Sequence, residues 1–191
     1  MSTTTGLLNR NRVHPLRLAL FISCGSIIMM FGALTSAYII RQSAGNWLEF
    51  ALPTLFYVST AVLLLSSLTI QLCYSAFLKG NAVMYRGLLV LTLLLGFAFV
   101  ILQFQAWEAM FDAGLPLKGN PSPSFVYVLS GLHAAHVLGG LVSLIVAVIH
   151  GFRLPVFVTP RRKLRLQLTM TYWHFMDFLW IYLLLFLVLQ R

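Results

Sequence analysis

The sequence predicts an all-α protein: a polytopic membrane bundle of five transmembrane helices, with its N-terminus cytoplasmic and its C-terminus outside. Three observations lead there. Of 191 residues, 60% are apolar and 9% charged, where a water-soluble domain carries about 25% charged residues. Five apolar segments exceed the roughly 20 residues that span a hydrocarbon core. The basic residues fall between those segments, and unevenly so.

The first segment, residues 16–40, follows Pro15, which suits a first helical turn because its missing N–H is unneeded there. Residues 1–15 are polar and basic. The run behind them is too long for a signal-peptide core and has no small-residue cleavage site, so this helix is expected to be its own insertion signal. Gly32 and Ser36, four apart, offer a small-residue face for close helix packing. The second segment, 53–77, opens at Pro53 and aligns Ser59, Ser66, Thr69 and Cys73 on one broad face, which reads as a buried seam. Gly80-Asn81 breaks the chain before the third, 88–110, which pairs Thr92 with Gly96 and carries Glu108 near its end, between Gln105 and Asp112. The turn-rich stretch 114–123 precedes the fourth, 125–152, with His133 and His136 three apart and Gly131, Ala135 and Gly139 spaced by four. The fifth, 166–189, holds His174 and Asp177 among Tyr172, Trp173 and Trp180. The loops leave no room for a soluble domain, and no internal repeat is visible, so 1–191 reads as one membrane domain.

Orientation follows from Lys and Arg in short loops. One side collects Arg10, Arg12, Arg17, Lys79, Arg86, Arg153, Arg161, Arg162, Lys163 and Arg165; the other has Arg41, Lys118 and Arg191. The net charge of +9 therefore marks helix ends and anionic headgroups rather than a nucleic-acid partner. Cys24 and Cys73 lie within apolar runs and read as small buried hydrophobes.

Ionisable side chains at membrane depth are costly and mark function or assembly. Three readings fit them. His133, His136 or His174 could ligate a metal or haem, although two histidines on one helix make half a site. Glu108, Asp177 and the histidines could form a proton path, although four acids make a sparse one. Or Glu108, His133, His136, His174 and Asp177 pair across helices and fix the packing. No Gly-x-Ser-x-Gly elbow, P-loop, His-Glu-x-x-His or dinucleotide fingerprint is present, so no catalytic residue is assigned.

Taken together, the polar positions resemble a specific family. Gly131-Leu-His-Ala-Ala-His-Val-Leu-Gly139 resembles the Gly-x-His-x-x-His-Val motif of subunit III of the haem-copper oxidases, the cytochrome c and quinol oxidases. Tyr172-Trp-His-Phe-Met-Asp-Phe-Leu-Trp180 is similar to that family's last-helix signature, and Gln105-Ala-Trp-Glu108 to its Gln-x-x-Glu element. Phe31 to Tyr38 resembles its glycine-bearing first common helix, and Pro53-Thr54 with Leu65-Ser66-Ser67 the helix after it.

The resemblance implies the short five-helix form, without the two extra N-terminal helices and the lipid cleft of the long form. Phospholipid at a subunit interface remains compatible with it. Where many members carry a Glu just after a Ser in the first common helix, this chain has Ile27 after Ser26, so no role of that carboxylate transfers. The implied function is that of a non-catalytic subunit holding no metal or cofactor itself. It would pack against the haem- and copper-bearing catalytic subunit I, stabilise it and support proton uptake, in a proton-pumping complex that reduces oxygen in a bacterial inner membrane. The subunit-III-like partner of a nitric oxide reductase and a small haem-binding membrane protein are the alternatives. A transporter would need repeats and broken helices, which the sequence lacks.

Overall fold

A computed structural model describes residues 14–154 and 157–190. Five helices follow in order: α1 Pro15–Ser43, α2 Leu55–Leu78, α3 Ala82–Asp112, α4 Pro121–Arg153 and α5 Pro160–Leu189. Each is long and apolar enough to cross a membrane. The shortest, α2 with 24 residues, spans roughly 36 Å at about 1.5 Å per residue.

The helices outrun their apolar stretches, chiefly at the start. α3 begins at Ala82, α4 at Pro121 and α5 at Pro160, each several residues before the apolar run. Caps account for this. Asn81 accepts from the Met84 N–H at 3.1 Å, Asn120 from Ser122 at 3.0 Å and Thr159 from Arg162 at 3.4 Å. Pro121 and Pro160 stand where a proline N–H is not needed. The ends are as well defined. Gly80 and Gly114 adopt φ of 71° and 76°. Behind them Asn81 N–H returns to Ala76 O at 3.1 Å and Leu115 N–H to Met110 O at 3.0 Å, the Schellman closure of α2 and α3.

Cross-helix contacts fix the directions. Ser59 meets Gln103 while Thr69 meets Thr92, so α2 and α3 are antiparallel. Arg17 meets Gln167 while Thr35 meets Tyr182, so α1 and α5 are parallel. Helix starts and ends thus alternate between the two ends of the bundle. α5 packs beside α4, α2 and α1, whereas the α1 backbone approaches only α5 and α4. One end gathers Arg17, Lys79, Arg86, Arg153, Arg161, Arg162, Lys163 and Arg165; the other has Arg41 and Lys118 with Glu49, Glu108 and Asp112. Arg10, Arg12 and Arg191, which entered the orientation argument, lie outside the described residues.

The core is aromatic. Trp180 is fully buried, stacked on Phe56 at 6.0 Å between ring centroids and met edge-on by Phe99 at 5.3 Å. Large apolar side chains such as Met29, Phe178 and Leu189 point outward, as they do on a surface solvated by lipid tails.

Candidate functional site

What is specific in this chain is a polar seam through an apolar bundle. It starts on α2. Ser59 and Ser66 are fully buried hydroxyls, each also donating to a carbonyl of its own helix. Ser59 accepts from Gln103 Nε2 at 2.9 Å, joining α3. Ser66 accepts from Trp173 Nε1 at 2.9 Å, and Thr60 from Trp180 Nε1 at 2.9 Å, joining α5 twice. Thr69 and Thr92 share a 2.8 Å bond. The hydroxyl face of α2 is the seam the sequence suggests. Its indole and carboxamide partners carry no spacing signal of their own, which is why Gln103 and the two tryptophan N–H groups escape a sequence reading.

The same donors and acceptors tie the remaining helices. Trp107 Nε1 donates to Ser130 Oγ at 2.9 Å between α3 and α4. Tyr172 O–H donates to the His136 carbonyl at 3.0 Å between α5 and α4. On α1, Thr35 and Tyr182 hydroxyls meet at 3.0 Å, and Tyr38 and Gln42 donate to Gln190 O at 3.2 and 2.8 Å. Each interhelical bond of this kind is worth about 0.6 kcal/mol.

The residues singled out from sequence fall in different places. His133 is completely buried, its ring 4.9 Å from Trp180 and 5.8 Å from Phe99, and neither nitrogen has a protein hydrogen-bond partner. His136, on the same helix, faces Phe31 of α1 at 5.9 Å, and its Nδ1 lies 2.7 Å from the Leu132 carbonyl of its own helix. The two imidazoles therefore have separate surroundings. His174 joins α5 to α2: Nδ1 is 2.6 Å from Ser67 Oγ and Nε2 is 3.3 Å from Gln71 Oε1. Asp177 is buried beside it, Oδ2 3.8 Å from His174 Nδ1, with neither oxygen hydrogen-bonded.

Two expectations are displaced. Glu108 is exposed on α3 and makes no hydrogen bond or ion pair to another helix among the described residues. It lines an outward groove of about 780 Å³ with Phe104, Asp112 and Lys118, because Trp107, its neighbour, takes the inward position and Ser130 with it. Among the small residues, Gly32 meets nothing within 4 Å, and Ser36 and Ala135 are exposed. Gly131 and Gly139 are only loosely approached, by Trp107 at 4.0 Å and Tyr172 at 3.8 Å. The closest approaches are at Gly96 and Gly140, whose missing Cβ atoms would stand 2.8 and 3.0 Å from the Trp173 ring. Bulky Trp173 decides this register; a four-residue spacing does not.

Among the described residues no three His, Cys, Asp or Glu side chains gather as a metal would need. The hydrogen-bonded polar groups named above join helices in pairs, distributed along the bundle, whereas His133 and the Asp177 oxygens have no hydrogen-bond partner.

Residues 45–190 match the family model described as cytochrome c oxidase subunit III. The chain belongs to the cytochrome c oxidase subunit III family. Over 194 aligned residues it is 31% identical to the probable cytochrome c oxidase subunit 3 of Nocardia farcinica, covering 93% of this chain and 92% of that protein. The cytochrome c oxidase subunit 3 of Corynebacterium diphtheriae is 27% identical, covering 93% of this chain and 95% of that one. A longer relative, from Pelomedusa subrufa, is 32% identical over 126 residues, 66% of this chain and 46% of its own. As a subunit III of a haem-copper oxidase, the chain is a multi-pass membrane protein of a multi-subunit complex. Glu108, His133, His136, His174 and Asp177 all lie within the matched segment.

Proposed function

We propose that this subunit III is the accessory, structural member of a proton-pumping terminal oxidase in a bacterial cytoplasmic membrane. In this reading it packs against the haem- and copper-bearing catalytic subunit I, stabilises it and supports proton uptake on the cytoplasmic side, with cytochrome c as the electron donor. The observation that carries the reading is how the polar side chains are used. Trp173, Trp180, Gln103, Trp107 and Tyr172 all bond to neighbouring helices. A bundle wired this way is a rigid surface for a partner. His133, His136, His174 and Asp177 act in it as packing and positioning groups, Gly32, Ser36, Gly131, Ala135 and Gly139 supply smooth helix faces, and Glu108 faces outward.

The basic end, with its eight described Lys and Arg residues against two at the other, faces the cytoplasm by the positive-inside rule. That puts the start of α1 inside and the end of α5 outside.

The test is a mild-detergent pull-down of the tagged chain from native membranes, with reduced-minus-oxidised spectra and subunit identification on one sample. Oxidase haem bands accompanied by a large catalytic subunit, and lost when subunit III is stripped off alone, are the expected result. Haem that stays with the stripped 21.5 kDa chain would overturn the accessory role.

A further inference from the structure

The polar seam reaches the outer surface of the bundle at Gln71 and His174. α1 and α2 both lean on α5 but their backbones do not approach each other, so they flank an exposed strip of α5 that includes Phe178, 76% exposed. The groove is bridged at the basic end, where Arg17 donates to Gln167 at 2.9 Å and Gln167 donates to Tyr74 at 2.7 Å. Further along lies His174, its side chain 35% exposed, and beside it Gln71, also exposed.

Their depth is the point. His174 stands near the middle of α5, about 21 Å along the axis from Pro160 at about 1.5 Å per residue, and Gln71 about 10 Å inside the end of α2. Both therefore lie in the hydrocarbon layer. Exposed hydroxyls elsewhere in the bundle, such as Ser23 and Ser26, bond back to carbonyls of their own helix and can face lipid. Gln71 does not; its side chain reaches across to His174 instead. Its Oε1, an acceptor, lies 3.3 Å from His174 Nε2, and His174 Nδ1 lies 2.6 Å from the Ser67 hydroxyl. The two N–H groups of the Gln71 carboxamide have no acceptor among the described residues, at an exposed position where lipid tails offer none. Polar groups at such depth face protein.

We propose that this α1–α2 groove on α5, centred on Gln71 and His174, is where the catalytic subunit of the oxidase docks. A transmembrane helix of that subunit lies along Phe178 and Leu68 and presents a hydrogen-bond acceptor to the Gln71 carboxamide. Asp177, 5% exposed and beside Ser67 and His174, holds the imidazole in place without reaching the partner. This assignment rests on the proposed accessory role and adds to it a face and a recognition group.

The experiment places a photo-crosslinking residue singly at Leu68, Phe178, Leu94 or Val142 in the full chain, all exposed positions, expressed with its native complex. Adducts to the catalytic subunit from Leu68 and Phe178, and none from Leu94 or Val142, are expected. In the same membranes Gln71→Leu should lower co-purification of the catalytic subunit about threefold, and Gln71→Asn should restore part of it. A catalytic subunit that co-purifies but crosslinks only from Leu94 or Val142, or lipid adducts alone from Leu68 and Phe178, would overturn the docking face and leave the accessory role standing. A preparation with no catalytic subunit at all would overturn both.

Discussion

Trp173 shows how one side chain can set several contacts at once. Its indole N–H bonds Ser66 on α2, while its ring fills the space left by Gly96 on α3 and Gly140 on α4. Trp173→Phe should therefore cost more than one interhelical hydrogen bond of about 0.6 kcal/mol, because a smaller ring also leaves a gap. Unfolding in mixed micelles would measure it. Adding Ser66→Ala to Trp173→Phe should cost little further, since the two groups lose the same bond. A second prediction concerns Asp177, which faces Ser67 and His174 at the α2–α5 contact. Asp177→Leu should lower the amount of subunit III held by the catalytic subunit and leave oxygen turnover per haem in the assembled complexes nearly unchanged. Normal assembly with lost turnover would contradict a positioning role. At this scale the sequence was partly readable. Asp177 and His174 stand out because charge is rare at membrane depth, and Ser59 and Ser66 because hydroxyls repeat on one face. Gln103 gave no such signal, and His133 with His136, three apart, gave a misleading one: their rings point to different neighbours, Trp180 and Phe31.

Among elements, the five helices were legible from apolar length alone, since runs of about 20 apolar residues fit a spanning helix and are about twice as long as a spanning barrel strand. Their ends were not, because they are set by polar residues outside the apolar run: Asn81, Asn120 and Thr159 extend α3, α4 and α5 backward by capping them. Which small residue matters was equally hidden. Spacing by four nominates Gly32, Gly131, Gly139 and Gly96 alike, but only a partner's bulk selects among them. Gly96→Ala would place its Cβ 2.6 Å from a Leu141 methyl and 2.8 Å from the Trp173 ring, and overpacking of this kind costs about 1–3 kcal/mol. Gly32→Ala, with nothing within 4 Å, should leave the stability of the isolated chain unchanged within about 0.5 kcal/mol. Paired unfolding measurements on the two variants test whether the bundle closes where the structure closes it; equal losses would mean that α1 packs more tightly than its contacts with α5 and α4 indicate.

At the scale of the whole molecule, charge and direction are linked. Because consecutive helices alternate, all eight described basic residues outside the Arg41 and Lys118 pair come to one end, and three of the four acids, Glu49, Glu108 and Asp112, come to the other. Neither fact depends on the fold inside the membrane, which is why orientation could be argued from loops alone. The fold adds that this asymmetry cannot be relieved locally. Arg17 is tied to Gln167, Arg86 to the Gly151 carbonyl at 2.8 Å and Arg162 to the His150 carbonyl at 3.1 Å, so the basic end is also cross-linked between helices. Turning one helix would break such ties, and the bundle should insert as a unit. A single cysteine at Gln190, in a chain with Cys24 and Cys73 replaced by Ala, should react with a membrane-impermeant maleimide added to intact spheroplasts, and one at Lys79 only after the membrane is opened. The reverse pattern would invert the bundle, and labelling of both from outside would mean that the loop charges do not set its direction.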